Sequence, residues 1–162
     1  MDYLWTPWRY RYIADVAKAE GCIFCEAVAA NDDAKTFIVS RGKRNYIILN
    51  RFPYTSGHVM VVPYEHVGDF SALDSDTVCE MILLAQRVKG ALERSYHPEG
   101  YNLGMNLGRA AGAGVRGHVH LHVLPRWSGD SNFMTVVGET RVEPEDLSTT
   151  YEKLRNALSS DC

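Results

Sequence analysis

The sequence lacks the features that would place the protein in a membrane or outside the cell. No apolar run approaches the roughly 20 residues of a membrane-spanning helix, and the first residues lack the charged and then apolar layout of a signal peptide. Cysteine is also scarce, with four residues in the chain. We therefore expect a cytoplasmic protein in a reducing compartment, where a close cysteine pair favours metal binding over a disulfide.

An excess of charge of either sign is lacking as well. A formal net charge of −3 over 162 residues gives no general attraction for nucleic acid or for an anionic membrane, so neither is expected as a partner. Any anion must therefore be bound by a local site. Hydrophobic residues make up 46% of the chain, which is enough for one domain with its own core.

No repeat, low-complexity segment or linker divides the sequence. We expect one domain over residues 1–162, with an aromatic N-terminal extension at residues 1–20. The aromatic residues of this extension, among them Trp5 and Trp8, indicate packing on the domain or on a partner subunit. A base-stacking surface is the functional alternative.

A run of three alternating histidines stands out. Residues 118–124 alternate strictly between histidine and an aliphatic residue, which is the period of a half-buried β-strand. Val119, Leu121 and Val123 are expected to face a core, and the histidines to share the other face. Same-face neighbours about 6–7 Å apart along a strand would line one phosphate-sized groove. These histidines are His118, His120 and His122.

The remaining pattern predicts an α+β fold with an antiparallel sheet, because short apolar runs are joined by tight turns. Strands are expected at residues 36–39, 45–50, 58–63, 101–107 and 133–137, besides the histidine strand. Apolar residues at three- and four-residue steps predict one long helix over residues 71–96 and a C-terminal helix at about 144–159.

A glycine-rich segment at residues 108–117 links the fourth strand to the histidine strand. Backbone N–H groups in such a loop can form an anion-binding nest, and the segment carries Arg109 and Arg116. A flexible hairpin connection is the alternative. The adjacent histidines favour phosphate binding.

Two kinds of chemistry suit the histidine strand. It could hold a catalytic metal, which would need an open position and a nearby carboxylate as base. No acidic residue occurs between Asn102 and Trp127, which argues against that mechanism. Alternatively, one neutral imidazole attacks phosphorus and becomes a covalent nucleotidyl-histidine. His120, flanked by the other two histidines on its own face, is the natural nucleophile.

The pair Cys22 and Cys25 forms a C-x-x-C motif after Gly21. Such a turn can present two thiolates to one tetrahedral metal ion. Two further ligands would have to come from elsewhere in the chain. A redox pair and two small buried residues are the alternatives, although the βαβ context of a thioredoxin-like redox motif is absent.

The segment over residues 118–124 resembles the histidine triad motif, His-φ-His-φ-His-φ-φ, of the histidine triad (HIT) superfamily. Residues 50–63, which contain Gly57-His58-Val59, and Met105-Asn106 are also similar to that superfamily. The resemblance extends from Cys22 to about Asp130. The segments at residues 4–9 and 125–133 are similar to the Fhit-like branch and its bacterial diadenosine tetraphosphate (AP-4-A) phosphorylases.

The resemblance implies a HIT-like fold that dimerises through its helix and a strand, with tetramers as a further option. It also implies residue roles. His120 matches the nucleophile, and His118 and His122 match its flanking partners. Asn50 matches a ribose-binding residue and Asn106 a polar residue that touches phosphates. By the same resemblance, and from the glycine loop, the expected substrate-binding set is completed by Gly114, Arg109, Arg116, Phe24 and Ile48.

The same resemblance implies a structural zinc site and no organic cofactor. Relatives with a C-x-x-C at this place use it with a histidine after the third strand and the first triad histidine. The corresponding ligands here are Cys22, Cys25, His66 and His118.

The expected function is a dinucleoside polyphosphate phosphorylase, acting on diadenosine tetraphosphate through a covalent nucleotidyl-histidine. A hydrolase of the same superfamily, with water as acceptor, is the first alternative. A non-catalytic nucleotide-binding protein is the second. Hint-type phosphoramidases carry a serine before the triad, but residues 114–117 contain no hydroxyl, which disfavours that activity.

Overall fold

The computed structural model describes residues 21–130 and 145–159, which form an antiparallel sheet with helices on both of its faces. None of the helices in these two ranges combines the length and apolar character needed to cross a bilayer. The α+β class, the antiparallel sheet, the long helix and the C-terminal helix are confirmed. The elements are α1 (Ile23–Ala29), α2 (Asp33–Thr36), β1 (Ile38–Arg41), β2 (Asn45–Leu49), β3 (Val59–Pro63), a 3-10 turn (Phe70–Ala72), α3 (Ser75–Tyr96), β4 (Gly100–Gly104), β5 (Leu121–Arg126) and α4 (Leu147–Ser159).

The five strands lie in the order β1-β2-β3-β5-β4, and every neighbouring pair is antiparallel. All residues of β2 and β3 are buried, so the centre of the sheet is covered on both faces. Strand β4 lies at one edge, and its later residues are exposed.

Alternate residues of the strands divide the buried side chains into two cores. The helix-side core lies between the sheet and helices α3 and α4, and its strand residues are Val39, Ile47, Leu49, Val59, Val61, Leu121 and Val123. The site-side core lies on the opposite face, and its members are Phe24, Ala27, Ile38, Tyr46, Ile48, Met60 and Val62. The predicted inward position of Leu121 and Val123 is confirmed.

Helix α3 begins later than the sequence predicted. Asp74 caps it, because its Oδ1 accepts the Thr77 N–H at 3.0 Å, and the residues before it form the separate 3-10 turn. The helix ends at Tyr96, as predicted, and His97 follows in the left-handed conformation with φ 45°. Helix α4 likewise begins at Leu147 rather than 144, since Asp146 accepts the Thr149 N–H at 2.9 Å.

Glu80 of α3 fixes the turn between β1 and β2. Its two carboxylate oxygens accept the backbone N–H groups of Lys43, Arg44 and Asn45, each at 2.7 Å, and the Asn45 side-chain amide at 2.9 Å. One helix side chain therefore positions the β1–β2 hairpin over the helix-side core.

Other predicted boundaries were wrong by a few residues for identifiable reasons. Cys22 and Cys25 do not lie in a turn, because they occupy the start of α1. Strand β1 runs from Ile38 rather than residue 36, since Phe37 is left-handed (φ 63°) after α2. Strand β4 covers Gly100–Gly104 instead of 101–107. The strand predicted at 133–137, Pro144 and the N-terminal extension lie outside the described residues.

The histidine segment is only partly a strand, which corrects the prediction. Strand β5 begins at Leu121, so only His122 of the triad pairs in the sheet, opposite Met60. The Tyr64 N–H donates to Arg44 O, so the backbone N–H and C=O groups of even-numbered residues at this end of β3 point toward β2. The backbone groups of Pro63 therefore point toward β5. Because proline has no N–H, the β3–β5 pairing stops there. The Val119 N–H instead donates to Val67 O at 2.8 Å.

Candidate active site

A cavity of about 350 Å³ opens on the site-side face of the sheet. Its walls come from α1, the end of β2 with the following loop, the glycine-rich loop, and the histidine segment. The structure brings six of the predicted site residues to this cavity. They are Phe24, Asn50, Asn106, Gly114, His120 and His122.

The remaining predicted substrate contacts lie away from the cavity wall. Ile48 is buried in the site-side core beside its cross-strand partner Met60, which does line the cavity. Arg109 and Arg116 are exposed on the glycine-rich loop, whose Gly112 and Gly114 face the cavity. The structure therefore brings two loop glycines to the cavity and leaves the two guanidinium groups exposed outside it.

His120 is held in one tautomer by its own chain segment. Its Nδ1 lies 2.9 Å from the carbonyl oxygen of His118, so Nδ1 carries the proton and Nε2 has the lone pair. Burial lowers the pKa of His120 below its usual value, which keeps the ring neutral. The Phe24 ring packs at 5.0 Å from the His120 ring. A neutral, fixed imidazole at a cavity wall is suited to nucleophilic attack.

His122 takes the opposite tautomer because of His58, for which no role was predicted from the sequence. The backbone N–H of Tyr54 donates to His58 Nδ1 at 3.1 Å, so His58 carries its proton on Nε2. His58 Nε2 lies 2.9 Å from His122 Nδ1, which therefore accepts. The proton of His122 is then on Nε2, and His122 can donate a hydrogen bond to a substrate oxygen.

Tyr54 also packs against these two rings, at 4.8 Å from His58 and 6.2 Å from His122. His58 directly precedes β3, the strand that pairs with β5. His58 was predicted as the first residue of the strand at residues 58–63, but only the pairing of Met60 with His122 identifies its contact with the triad. The sequence alone did not give that register.

Asn50 is fixed at the end of β2. Its Oδ1 accepts the Phe52 N–H at 3.0 Å, and its Nδ2 lies 3.3 Å from His58 Nδ1. An amide oxygen can accept a second hydrogen bond. Asn50 can therefore still receive a ligand hydroxyl at the cavity wall.

Behind the cavity, four side chains converge in a possible metal site. Cys22, Cys25, His66 and His118 each offer one ligand atom, and these atoms all lie within 4.8 Å of one another. Cys22 Sγ lies 3.3 Å from His118 Nδ1, and Cys25 Sγ lies 3.4 Å from His66 Nδ1 and 3.7 Å from His118 Nδ1.

The chemistry of this set fits a tetrahedral zinc ion. Zinc bond lengths to sulfur and nitrogen place neighbouring ligand atoms about 3.3–3.8 Å apart, which matches the three measured separations. His118 Nε2 lies 2.9 Å from Pro63 O, so Nε2 carries the proton and Nδ1 presents its lone pair to the two sulfurs. Burial and the nearby Cys22 sulfur raise the pKa of the Cys25 thiol, and a divalent cation would offset that effect.

His118 joins the two sites. Its ring belongs to the four-residue cluster, while its backbone carbonyl fixes the tautomer of His120. The ring of Phe24 contacts both histidines, at 5.3 Å from His118 and 5.0 Å from His120.

Comparison with known proteins accounts for this arrangement. Residues 31–129 match the HIT domain family. The chain is 36% identical to an AP-4-A phosphorylase from Mycobacterium tuberculosis, over 95% of this chain and 83% of that protein. The protein belongs to the HIT family. It is also 32% identical to an uncharacterised HIT-like protein from Saccharolobus solfataricus, over 70% of this chain and 79% of the other.

Solved HIT structures share the fold. A zinc-bound histidine triad family protein from Mycobacterium smegmatis is 34% identical, with a TM-score of 0.71 over 86% of this chain and 94% of the other. A hypothetical histidine triad nucleotide-binding protein from Sulfolobus tokodaii is 26% identical, with a TM-score of 0.70 over 86% and 93% of the two chains. The expected family and fold are therefore confirmed.

Proposed function

We propose that this HIT protein is a dinucleoside polyphosphate phosphorylase that acts on diadenosine tetraphosphate through a covalent nucleotidyl-His120. The observation that supports this most directly is the pair of opposite tautomers beside one cavity. His120 has a lone pair on Nε2, and His122 has a proton on its Nε2. The similarity to the mycobacterial AP-4-A phosphorylase supports the substrate class.

In the first step, His120 Nε2 attacks the α-phosphorus of the bound nucleotide. The bond from phosphorus to the bridging oxygen breaks, ATP leaves, and adenylyl-His120 forms. The carbonyl of His118 stabilises the positive charge that develops on the ring, because it accepts the Nδ1 proton. His122 donates to a phosphoryl oxygen. Arg109 and Arg116, exposed cations on the glycine-rich loop, interact with the leaving polyphosphate.

In the second step, inorganic phosphate attacks the same phosphorus. The bond to Nε2 breaks, His120 recovers its lone pair, and ADP forms. With water as acceptor the product would be AMP, and the enzyme would be a hydrolase. Both acceptors approach the phosphorus from the cavity, so the nucleophile and its partners serve either reaction.

Asn50, Asn106, Gly114 and Phe24 complete the proposed substrate site. Asn50 receives a ribose hydroxyl on its remaining lone pair, and Asn106 contacts the phosphates. Phe24 supplies an apolar wall, since it is 2% exposed and packs on the His120 ring. The apolar residues of α1 and of β2 bury the nucleobase.

Zinc is the proposed cofactor, bound by Cys22, Cys25, His66 and His118. A closed four-ligand site of this type supplies structural stabilisation rather than a reactive metal-bound water. We further propose a cytoplasmic homodimer. Exposed apolar side chains on α3 (Ile82 and Leu83) and on the edge strand β4 (Leu103) support this assembly.

Product analysis tests the reaction. The purified protein is given diadenosine tetraphosphate with and without inorganic phosphate, and the nucleotides are separated. We expect ADP and ATP, formed only when phosphate is present. AMP and ATP in both samples would identify a hydrolase instead. Binding of AMP with no product under either condition would identify a nucleotide-binding protein without catalysis.

A further inference from the structure

Helix α1 belongs to two sites at once. Cys22 precedes its first turn and Cys25 lies within it, so both sulfurs of the metal cluster are carried by this helix. Ile23, Phe24 and Ala27 of the same helix line the cavity. A single seven-residue helix, together with its N-cap Cys22, therefore supplies half of the metal ligands and one wall of the proposed nucleotide site.

The helix depends on these contacts for its position. A helix of this length is too short to be stable by itself in water. Its Cys22 N-cap makes no side-chain cap hydrogen bond. The sheet holds it through the Tyr46 hydroxyl, which donates to Phe24 O at 3.0 Å, and through the packing of Phe24 and Ala27 in the site-side core. Ligands on either side therefore add substantially to its docking.

We propose that the metal site is an effector site for the nucleotide, coupled to it through the docking of α1. The inference rests on the proposed nucleotide site and adds that metal occupancy controls the affinity of this site for the nucleotide. Zinc bound by Cys22 and Cys25 holds α1 against His66 and His118, and this fixes the wall on which the nucleobase packs. Nucleotide bound against Ile23 and Ala27 holds α1 in the same place, which brings the two sulfurs to the histidines.

Such coupling is reciprocal, because the free energies of binding close a thermodynamic cycle. Saturating nucleotide must raise zinc affinity by the same factor by which zinc raises nucleotide affinity. Coupling between two sites within one protein is commonly about 5- to 150-fold. We expect a factor in that range.

The experiment measures zinc affinity by competition with a chelator, at increasing concentrations of AMP. AMP is used because it carries one nucleobase and one phosphate and is not turned over. We expect the zinc Kd to fall and then reach a plateau, about 5- to 150-fold below its value without AMP. A zinc Kd that AMP does not change would contradict the coupling.

The plateau separates local docking from global folding. If the zinc-free protein were unfolded, AMP would bind only the zinc form, and the apparent zinc affinity would rise with AMP without limit. That result would also contradict the proposal. AMP that fails to bind the zinc-loaded protein would contradict the proposed function and the coupling together. AMP that binds both forms equally would contradict the coupling alone.

Two variants of cavity-lining residues on different elements provide a matched comparison. Ile23→Ala removes a cavity contact of α1 but no metal ligand, whereas Phe52→Ala removes a cavity contact from the loop after β2. Both should weaken AMP binding. Only Ile23→Ala should bring the coupling factor toward one, while zinc affinity without AMP stays near the wild-type value. Equal coupling factors in the two variants would show that α1 does not carry the effect.

Discussion

At the scale of single residues, hydrogen bonds with the backbone determine the tautomer of each histidine in the cavity wall. Three imidazoles of the triad are chemically identical, but the His118 carbonyl gives His120 a lone pair on Nε2. The Tyr54 N–H, acting through His58, gives His122 a proton on Nε2. The hydrogen-bond partner of Nδ1 therefore decides whether the Nε2 of each histidine accepts or donates.

His120→Asn should abolish turnover while keeping nucleotide binding. The asparagine amide can still donate to His118 O, but it has no nucleophilic nitrogen. We expect kcat to fall by more than about 10³-fold, with the Kd of AMP near that of the wild type. His97→Asn is the control, since His97 is exposed and left-handed, a conformation that asparagine tolerates. Near-normal turnover of His120→Asn would rule out the covalent mechanism.

His58→Ala should lower kcat more than it changes KM. The variant leaves His122 Nδ1 without its donor, so His122 loses its fixed tautomer. We expect a loss of about 10²-fold. His58→Gln should recover part of it, because its amide N–H can reach His122. Thermal melting of both variants checks the packing of this buried position. Equal kcat values for the two variants would indicate a purely structural histidine.

At this scale the sequence predicted site residues that lie on one segment, but not the contacts between residues of different segments. The spacing of the triad is enough to select His120 as the candidate nucleophile. Tyr54 and His58 acquire their roles only from the packing of the loop after β2 against β5, which spacing does not encode. The expected contacts of Arg109 and Arg116 depend on loop conformation, and the structure leaves both side chains exposed.

At the scale of elements, Glu80 connects helix α3 to the β1–β2 hairpin through hydrogen bonds. This contact should make the free energy of unfolding depend on pH. Burial opposes ionisation of its carboxyl, but hydrogen bonds from Asn45, Lys43 and Arg44 outweigh burial and lower the pKa of Glu80. A lowered pKa in the folded state stabilises the fold above the unfolded-state pKa, at about 4.3. That stabilisation is lost as the pH falls through the folded-state pKa.

Glu80→Gln should therefore lower the free energy of unfolding by about 1–3 kcal/mol at pH 7. The difference from wild type should shrink below about pH 4.3, where the wild-type carboxyl becomes protonated. Urea unfolding at several pH values measures both effects. Glu152→Gln, on the exposed face of α4, is the control. A difference that stays constant down to pH 3 would contradict this account of the turn.

Element prediction succeeded where a pattern was long. The apolar stripe of α3 spans six turns, so its existence and end at Tyr96 were predictable, and only its start was displaced by the 3-10 turn and Asp74. Helix α1 was missed because seven residues around a C-x-x-C motif give too few periods. The start of strand β1 was predicted two residues too early, because the sequence gives no reliable signal for a single left-handed residue such as Phe37.

At the scale of the whole molecule, exposed apolar side chains support the proposed homodimer. Leu83 is 61% exposed on α3 and Leu103 is 52% exposed on β4. Within residues 21–130 and 145–159, β4 has a strand neighbour on one side only, and such an edge can present backbone groups to a second copy. Light scattering after size-exclusion chromatography should give a mass of about twice 18.2 kDa.

The double variant Leu83→Glu with Leu103→Glu should shift this mass to that of one chain, because it places charge in the buried interface. Phe52→Glu, an exposed apolar residue on the cavity rim, should leave the mass unchanged. A wild-type protein that elutes as a monomer at micromolar concentration would contradict the proposed assembly.

Pro63 determines where the hydrogen bonding between β3 and β5 ends, and this affects the histidine segment. Any other residue there would supply an N–H toward β5 and permit the sheet to continue past Leu121. Val119 would then pair with residue 63, and its N–H would compete with the His118 ring for the carbonyl oxygen of that residue. The absence of one hydrogen atom thus marks the point at which the sheet ends and the histidine segment leaves regular pairing.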